Sequence, residues 1–554
     1  MQKFLASTNR ADLIEYLTHS TFDLLIIGGG ATGAGIALDA SSRGMKVALI
    51  DKQDFAAGTS SRSTKLIHGG LRYLKQLEIG LVREVGRERA TVHHLAPHLV
   101  VSEKMLLPLI KGGTYGKFAT SLGLMVYDVL AGVESADQRV MLTKEETMDR
   151  EPLLKEEIVE GAGLYAEYRT DDARLTLEVI KTSSLYGSAP INYVEATDFL
   201  YENDRVTGAS CKDLISGQIF DIHAVQVVSA AGPWVDELRT INKSMSEKRL
   251  HLTKGVHIVI PHEKLPVHQS VYFDVPDGRM VFAIPRGRIT YVGTTDTDYK
   301  GDKENPLTNQ EDVEYLVNGI NNTFPSVNLT IDDVISSWAG LRPLIHEEGK
   351  SASELSRKDE IFLSDTKLLS IAGGKLTGYR KMAERVVDVV AKRLSKKLNK
   401  HYKKVFTNEI IISGGGFKDA HDVEIFKEHV FQQLKPHGFS VYDAHYLVHN
   451  YGQQTDTIID YFFEQNELNL QGLIKAELWF GINFEMVNAT MDFFSRRTGR
   501  LYFDIESVRQ YKDLVIGYLA KELSWDHQRI EQENDWVQQA ITLASHFPPS
   551  EKKA

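Results

Sequence analysis

The chain has 554 residues, 42% of them hydrophobic and 25% charged, with a formal net charge of −11. That length predicts two or three domains, and the composition is that of an ordinary globular protein. The acidic balance argues against a general nucleic-acid binder. The single cysteine, Cys211, excludes an intramolecular disulfide or a multi-cysteine metal site and points to a reducing compartment.

Residues 1–20 read as a short helix with a Ser7/Thr8 cap region, without the apolar core and small-residue cleavage site of a secretory signal. No apolar stretch approaches the ~20 residues of a membrane-spanning helix. A cytoplasmic protein is expected, free or held on the inner face of the cell membrane.

Phe22-Asp-Leu-Leu-Ile-Ile-Gly28 reads as a strand buried on both faces. Gly28, Gly30 and Gly33 follow with G-x-G-x-x-G spacing, opening a helix that ends at Gly44. The first glycine permits the turn, the second lets backbone approach a pyrophosphate, and the third lets helix pack on strand. The helix N-terminus favours the anion. A second strand, Lys46–Ile50, leads to Asp51, placed 18 residues after Gly33 to take ribose hydroxyls. This unit predicts a bound dinucleotide; its spacing leaves FAD and NAD both open.

Further along, Val206–Ile215 alternates as a strand and gives Cys211 a packing role. Met280–Ile284 and Ile289–Gly293 read as two strands around a tight turn, Pro285–Arg288. From about residue 400 helical periodicity takes over, as in Asp422–Leu434 and Ile505–Leu523. Met105–Ile110 with Lys111, Lys117 and Leu122–Leu130 reads either as a monotopic membrane element or as buried core with solvated lysines. His93, His94 and His98 lack metal-ligand spacing, and no metal is expected.

Gly58-Thr-Ser-Ser-Arg-Ser-Thr-Lys-Leu-Ile-His-Gly-Gly-Leu-Arg-Tyr-Leu74, taken with the βαβ unit, resembles the FAD-dependent glycerol-3-phosphate dehydrogenases of the D-amino-acid-oxidase-like class. Asp171-Asp-Ala-Arg-Leu175, Val228–Trp234, Lys254-Gly-Val-His257, Val281–Pro285, Ile289–Asp296, Gly340-Leu-Arg-Pro343 and Gly373–Arg380 agree with it. The resemblance is strong over residues 20 to 390 and looser beyond, where Asp492–Thr498 echoes a family helix. Thr377-Gly378-Tyr379 departs from the two threonines before the tyrosine in many relatives.

The resemblance implies an α/β fold: a Rossmann-like FAD-binding domain, an inserted α+β substrate domain and a helical C-terminal domain. The expected division is an N-terminal helix over 1–20 and a discontinuous flavin domain (about 20–95, 160–235 and 335–395). The substrate domain fills about 96–159 and 236–334, and helices fill 396–554. FAD contacts are implied at Gly28, Gly30, Ala31, Thr32, Gly33, Asp51 and Lys52, and at Thr59, Ser60, Ser61, Ser63, Thr64, Lys65, Leu66 and His68. They continue at Ala196, Ala231, Gly232 and Trp234, and at Gly374, Lys375, Leu376 and Thr377. The Ser/Thr cluster is also readable as a helix cap.

The implied reaction takes sn-glycerol 3-phosphate to dihydroxyacetone phosphate, with electrons leaving to a quinone. Arg72, Arg342 and Lys375 would bind substrate, because a phosphate dianion calls for fixed cations, and the resemblance adds Tyr73 to the substrate set. His257 would bind substrate and act as base, with Arg342 and His68 also at the catalytic centre. Backbone N–H groups at Gly374–Thr377 would stabilise charge on the flavin. The alternatives are an oxygen-dependent oxidase forming peroxide and a non-catalytic flavin-binding interaction protein. The membrane surface is a further expected partner, nucleic acid is not, and a homodimer is left open.

Overall fold

The computed structural model describes residues 5–68, 79–113, 138–346 and 359–549. Arg72, Tyr73, Lys117 and Leu122–Leu130 lie outside them. The described strands run β1 (Thr21–Ile27), β2 (Val47–Ile50), β3 (Leu66–Ile67), β4 (Val101–Ile110), β5 (Val140–Leu142) and β6 (Val159–Arg169). Then come β7 (Ala189–Ile191), β8 (Val194–Glu202), β9 (Arg205–Asp213), β10 (Ile219–Ser229), β11 (Leu250–Pro261) and β12 (Ser270–Asp274). The last are β13 (Met280–Arg286), β14 (Ile289–Gly293), β15 (Thr297–Asp298), β16 (Ser336–Ile345), β17 (Asp359–Leu363) and β18 (Leu369–Gly373).

One sheet has the order β17-β18-β10-β1-β2-β7, with β9 joined to β10 and β8 to β9. Its centre is parallel: Ile27 lies opposite Ile50 on one side and Ser229 on the other. β1 and β2 are apolar on both faces, as a parallel sheet covered on both sides demands. Helix Ala31–Ser42 packs between the helices Asp172–Leu185 and Tyr379–Leu398.

The second, larger sheet runs β15-β11-β14-β13-β12-β4-β6-β3, with β16 beside β11 and β5 beside β6. Segments assigned by sequence to the flavin domain belong to it, among them β6, which pairs with β4 through ten positions, and β16, which pairs with β11 through ten. An apolar run announces a strand but not its partner, and both partners are distant in the chain.

The membrane-element reading of Met105–Ile110 is overturned. Met105, Leu106, Leu107 and Leu109 are at most 2% exposed, in a strand flanked by β12 and β6. Among the described residues no helix is long and apolar enough to cross a membrane.

From Ala420 the described chain is helical, including Ala420–Leu434, Leu470–Phe484, Ile505–Glu522 and His527–Ser545. The N-terminal helix spans Arg10–His19 and has no side-chain cap. Ser7, read as a cap, instead donates to the Val487 carbonyl at 2.6 Å, tying the chain's start to the helical domain.

Candidate active site

The carboxyl ends of β1, β2 and β10 meet at one elongated cavity, where parallel strands leave unpaired backbone for a ligand. Gly28 has φ +115°, and a Cβ there would lie 2.5 Å from the Ala230 carbonyl oxygen, so the turn needs glycine. At Gly33 a Cβ would lie 1.8 Å from the Gly28 oxygen, so helix and strand touch backbone to backbone. Gly30 caps helix Ala31–Ser42 without a side chain, leaving the helix's positive end open to the cavity. Ser60 Oγ lies 2.9 Å from the Ala31 N–H, which donates to it.

Asp51 lines the cavity, accepts from the Gly29 N–H at 2.6 Å and from the Gln53 N–H at 2.8 Å, and is pushed up to about 6 by burial against those hydrogen bonds. Lys52 sits 4.9 Å from the Trp234 ring centre and pairs with Glu304. Thr32, Thr59, Ser63, Ala196, Ala231, Gly232, Gly374 and Leu376 also lie on the wall, as does Lys375.

Other expected contacts fall behind that wall. Lys65 is buried and ion-paired to Asp172, and Leu66 belongs to β3. Ser61 is buried in a single helical turn over Thr59–Ser61. No helix starts directly after the cluster, where β3 begins at Leu66; Ser60 instead accepts from the first N–H of helix Ala31–Ser42. His68 meets Thr377 through backbone: its N–H donates to Thr377 Oγ1 at 3.2 Å and its carbonyl accepts from the same hydroxyl at 3.3 Å. The histidine motif and the closing glycine motif are thereby stitched together.

His257 and Arg342 stand on the adjacent strands β11 and β16. A Cβ at Gly255 would lie 2.3 Å from Arg342 Nη2, so that glycine makes room for the guanidinium. Arg342 donates to Asp296 Oδ1 (3.1 Å), the Thr295 carbonyl (3.2 Å) and Thr294 Oγ1 (2.9 Å). His257 is 1% exposed, stacks on Trp338 at 4.8 Å and 11°, and places Nε2 3.0 Å from Thr64 Oγ1. Among the described residues its Nδ1, buried, has no hydrogen-bond partner. Burial, then the Arg342 and Lys65 charges, hold His257 well below the usual imidazole range, hence neutral. Thr64, expected to touch FAD, thus touches the histidine.

Sequence reasoning missed the support behind the nucleotide loop. Asp54 is fully buried and accepts from Arg497 Nη1 (2.8 Å), Arg497 Nη2 (2.9 Å), Asn192 Nδ2 (2.9 Å) and Arg496 Nε. Arg174, in the Asp-Ala-Arg-Leu element, is buried against Glu178 and, at 2.8 Å, Glu485. Both clusters weld the helical domain to the cofactor domain, and the arginine pair in Asp492–Thr498 was the available clue. Cys211 is buried in β9 and pushed up to about 12 by burial, which removes it as a nucleophile. Among the described residues no cluster of three His, Cys, Asp or Glu side chains could hold a metal.

A glycine turn, an open helix end and a carboxylate on one cavity define a protein that grips a dinucleotide. The family described as FAD dependent oxidoreductase matches residues 23–375, and the C-terminal domain of alpha-glycerophosphate oxidase matches 405–530. The aerobic glycerol-3-phosphate dehydrogenase of Bacillus subtilis (strain 168) is 50% identical over 532 residues, covering 95% of this chain and 96% of that protein. That of Staphylococcus aureus (strain USA300) is 49% identical over 548 residues, 98% of both chains. The X-ray structure of the glycerol-3-phosphate dehydrogenase from Bacillus halodurans complexed with FAD superposes with TM-score 0.84 at 40% identity, covering 99% of this chain and 100% of that one. The chain belongs to the FAD-dependent oxidoreductases and, within them, to the aerobic glycerol-3-phosphate dehydrogenase family. Its cofactor is FAD, and the cradle from Gly28 through Asp51 to Leu376 fits it.

Proposed function

We propose that the protein oxidises sn-glycerol 3-phosphate to dihydroxyacetone phosphate and passes the electrons to a quinone. The observation that carries this reading is the placement of Arg342 and His257 on neighbouring strands, near enough for the Arg342 charge to lower the proton affinity of His257, together with Lys375 on the cofactor wall. Bound FAD supplies the two-electron oxidant.

Arg342 carries the fork geometry that suits a phosphate, and the carbonyl and hydroxyl partners around it fix the guanidinium plane. Lys375 adds a second cation beside the cofactor, and Arg72 and Tyr73 complete the substrate set by family resemblance. His257 removes the C2 hydroxyl proton. Its low proton affinity keeps the ring neutral, so a lone pair is available at working pH. If Nε2–H donates to Thr64 Oγ1, that lone pair lies on Nδ1, and Thr64 is then a positioning residue. His68 is the competing base; its backbone bonds to Thr377 hold it beside the closing motif.

A quinone acceptor calls for peripheral attachment to the inner face of the cell membrane, through a surface other than Met105–Ile110. Anaerobic mixing with glycerol 3-phosphate, followed by reoxidation with either quinone or oxygen, tests the reading. Bleaching of the flavin band and fast quinone-driven recovery are expected. No bleaching would sink the substrate assignment, and fast peroxide-forming recovery under oxygen would make the protein an oxidase.

A further inference from the structure

His257 on β11 and Trp338 on β16 are direct cross-strand partners, so the pleat sends both side chains to the same face of the sheet. On the other side of β11, the residue opposite His257 is Gly293 of β14. A Cβ at Gly293 would lie 2.2 Å from His257 Cδ2, so the imidazole occupies space that only a glycine leaves. The indole stacks on the imidazole at 4.8 Å and 11° from parallel.

The indole is itself fixed. It is 3% exposed, and its Nε1 donates to the Ser63 carbonyl at 3.0 Å. Tyr291, Tyr502 and Phe503 pack around it with ring centres 5.4–5.8 Å away. The same short stretch of chain brings Thr64 to His257 Nε2, and the Tyr291 hydroxyl donates to the Thr64 carbonyl at 3.2 Å.

A base takes up a positive charge together with its proton. The described cations near the ring oppose that charge: Arg342 on β16, and Lys65, whose Nζ lies 5.7 Å from the Trp338 ring centre. Their countercharges, Asp296 and Asp172, answer them directly and reach His257 at one remove. Tyr291 on β14 is neutral, its phenol pushed up by burial. An indole face is different. It carries negative potential, and a cation within about 6 Å of its centre is stabilised, most strongly where water is excluded.

We infer that Trp338 is a positioning residue for the oxidation: its face holds the imidazole over Gly293 and stabilises the imidazolium formed when His257 takes the substrate proton. This rests on the reading of His257 as the base. In that step the C2 hydroxyl proton passes to His257, the C2 hydrogen leaves with its electron pair to FAD, and the C2–O bond becomes a carbonyl. The new positive charge then lies against the indole. The neutral ring of the resting enzyme gains little from the same face, so Trp338 acts on the rate and not on substrate affinity.

FAD-loaded enzyme is mixed anaerobically with glycerol 3-phosphate, and flavin bleaching gives a limiting rate and a substrate Kd. Trp338→Leu should lower the limiting rate about tenfold with Kd within about twofold of wild type, and Trp338→Phe, which keeps a ring face, should recover most of that loss. Uniform replacement of tryptophan by a fluorotryptophan keeps the shape and weakens the ring face. It should slow reduction about threefold in wild type and leave Trp338→Phe unaffected. In the His257→Ala background Trp338→Leu should have no further effect. A persisting tenfold loss in that background, a Phe variant as slow as Leu, or a fluorotryptophan enzyme as fast as wild type overturns the role of Trp338 and leaves the base in place. A wild-type limiting rate in His257→Ala sinks the base reading itself, and this role of Trp338 with it.

Discussion

Asp54→Asn probes the join between the helical domain and the nucleotide loop. The wild-type carboxylate is fully buried and answers two arginines, Arg496 and Arg497, from the C-terminal part of the chain. The substitution keeps the shape and removes one negative charge, leaving both guanidinium groups in place. Removing one partner of a buried pair typically costs about 3–5 kcal/mol. Here Asp492 still answers Arg496, and the Glu485 carbonyl, at 2.7 Å, still accepts from Arg497, so about 3 kcal/mol is the expected loss. Equilibrium urea unfolding followed by flavin fluorescence measures it. Because Gln53 and Ala57 of the same loop line the FAD cavity, FAD should also dissociate about tenfold more readily. The paired variant Asp54→Asn/Arg497→Met should recover about 2 kcal/mol relative to additivity, since neither charge is then left alone. The arginines hold Asp54 well below the ordinary carboxylate range. Its contribution is therefore present above the unfolded value of about 4 and is lost as pH falls toward the folded one. A loss under about 1 kcal/mol at neutral pH, or additive behaviour in the double variant, would refute the weld.

Arg342→Ala should cut kcat/KM for glycerol 3-phosphate by about a hundredfold, the loss of charge-assisted hydrogen bonds, while FAD content stays at wild-type level; steady-state kinetics with flavin quantitation checks both. Burial depresses the His257 proton affinity, so protonation, and with it the acid limb of kcat/KM, should fall below the ordinary imidazole value of about 6.5. That limb should vanish in His257→Ala; in Thr64→Val it should shift, and Thr64→Ser should restore it, while unchanged profiles in all three would remove the pair from the mechanism. Gly33→Ala should abolish FAD binding or folding, because its Cβ would sit 1.8 Å from the Gly28 oxygen; a soluble yellow variant would contradict that contact. Replacing Lys104 and Lys111 with glutamine should leave retention on anionic liposomes unchanged, since the apolar residues between them face the core; lost retention in a sedimentation assay would restore that segment as a docking element.

The nucleotide grip is legible in the sequence alone. Buried strand, glycine turn, helix and carboxylate are neighbours within one short segment, so their geometry follows from local sterics and periodicity. The helices at Ala420–Leu434 and Ile505–Glu522 were legible for the same reason, since amphipathic spacing is a local property. The remaining features depend on partners far apart in the chain. Whether Met105–Ile110 faces lipid or core is settled by its pairing with β6 and β12, because an apolar run satisfies either environment equally. Thr64 beside His257, Arg342 beside Gly255 and Asp54 between two arginines each join segments separated by tens to hundreds of positions. Lys65 shows the converse: its motif placed it among cofactor contacts, but a buried ammonium needs a countercharge, and Asp172, on the wall of the FAD cavity, supplies it. The hold on the dinucleotide is written in consecutive residues; the surroundings of the histidine and arginine proposed for the chemistry come from the folding of one sheet against another.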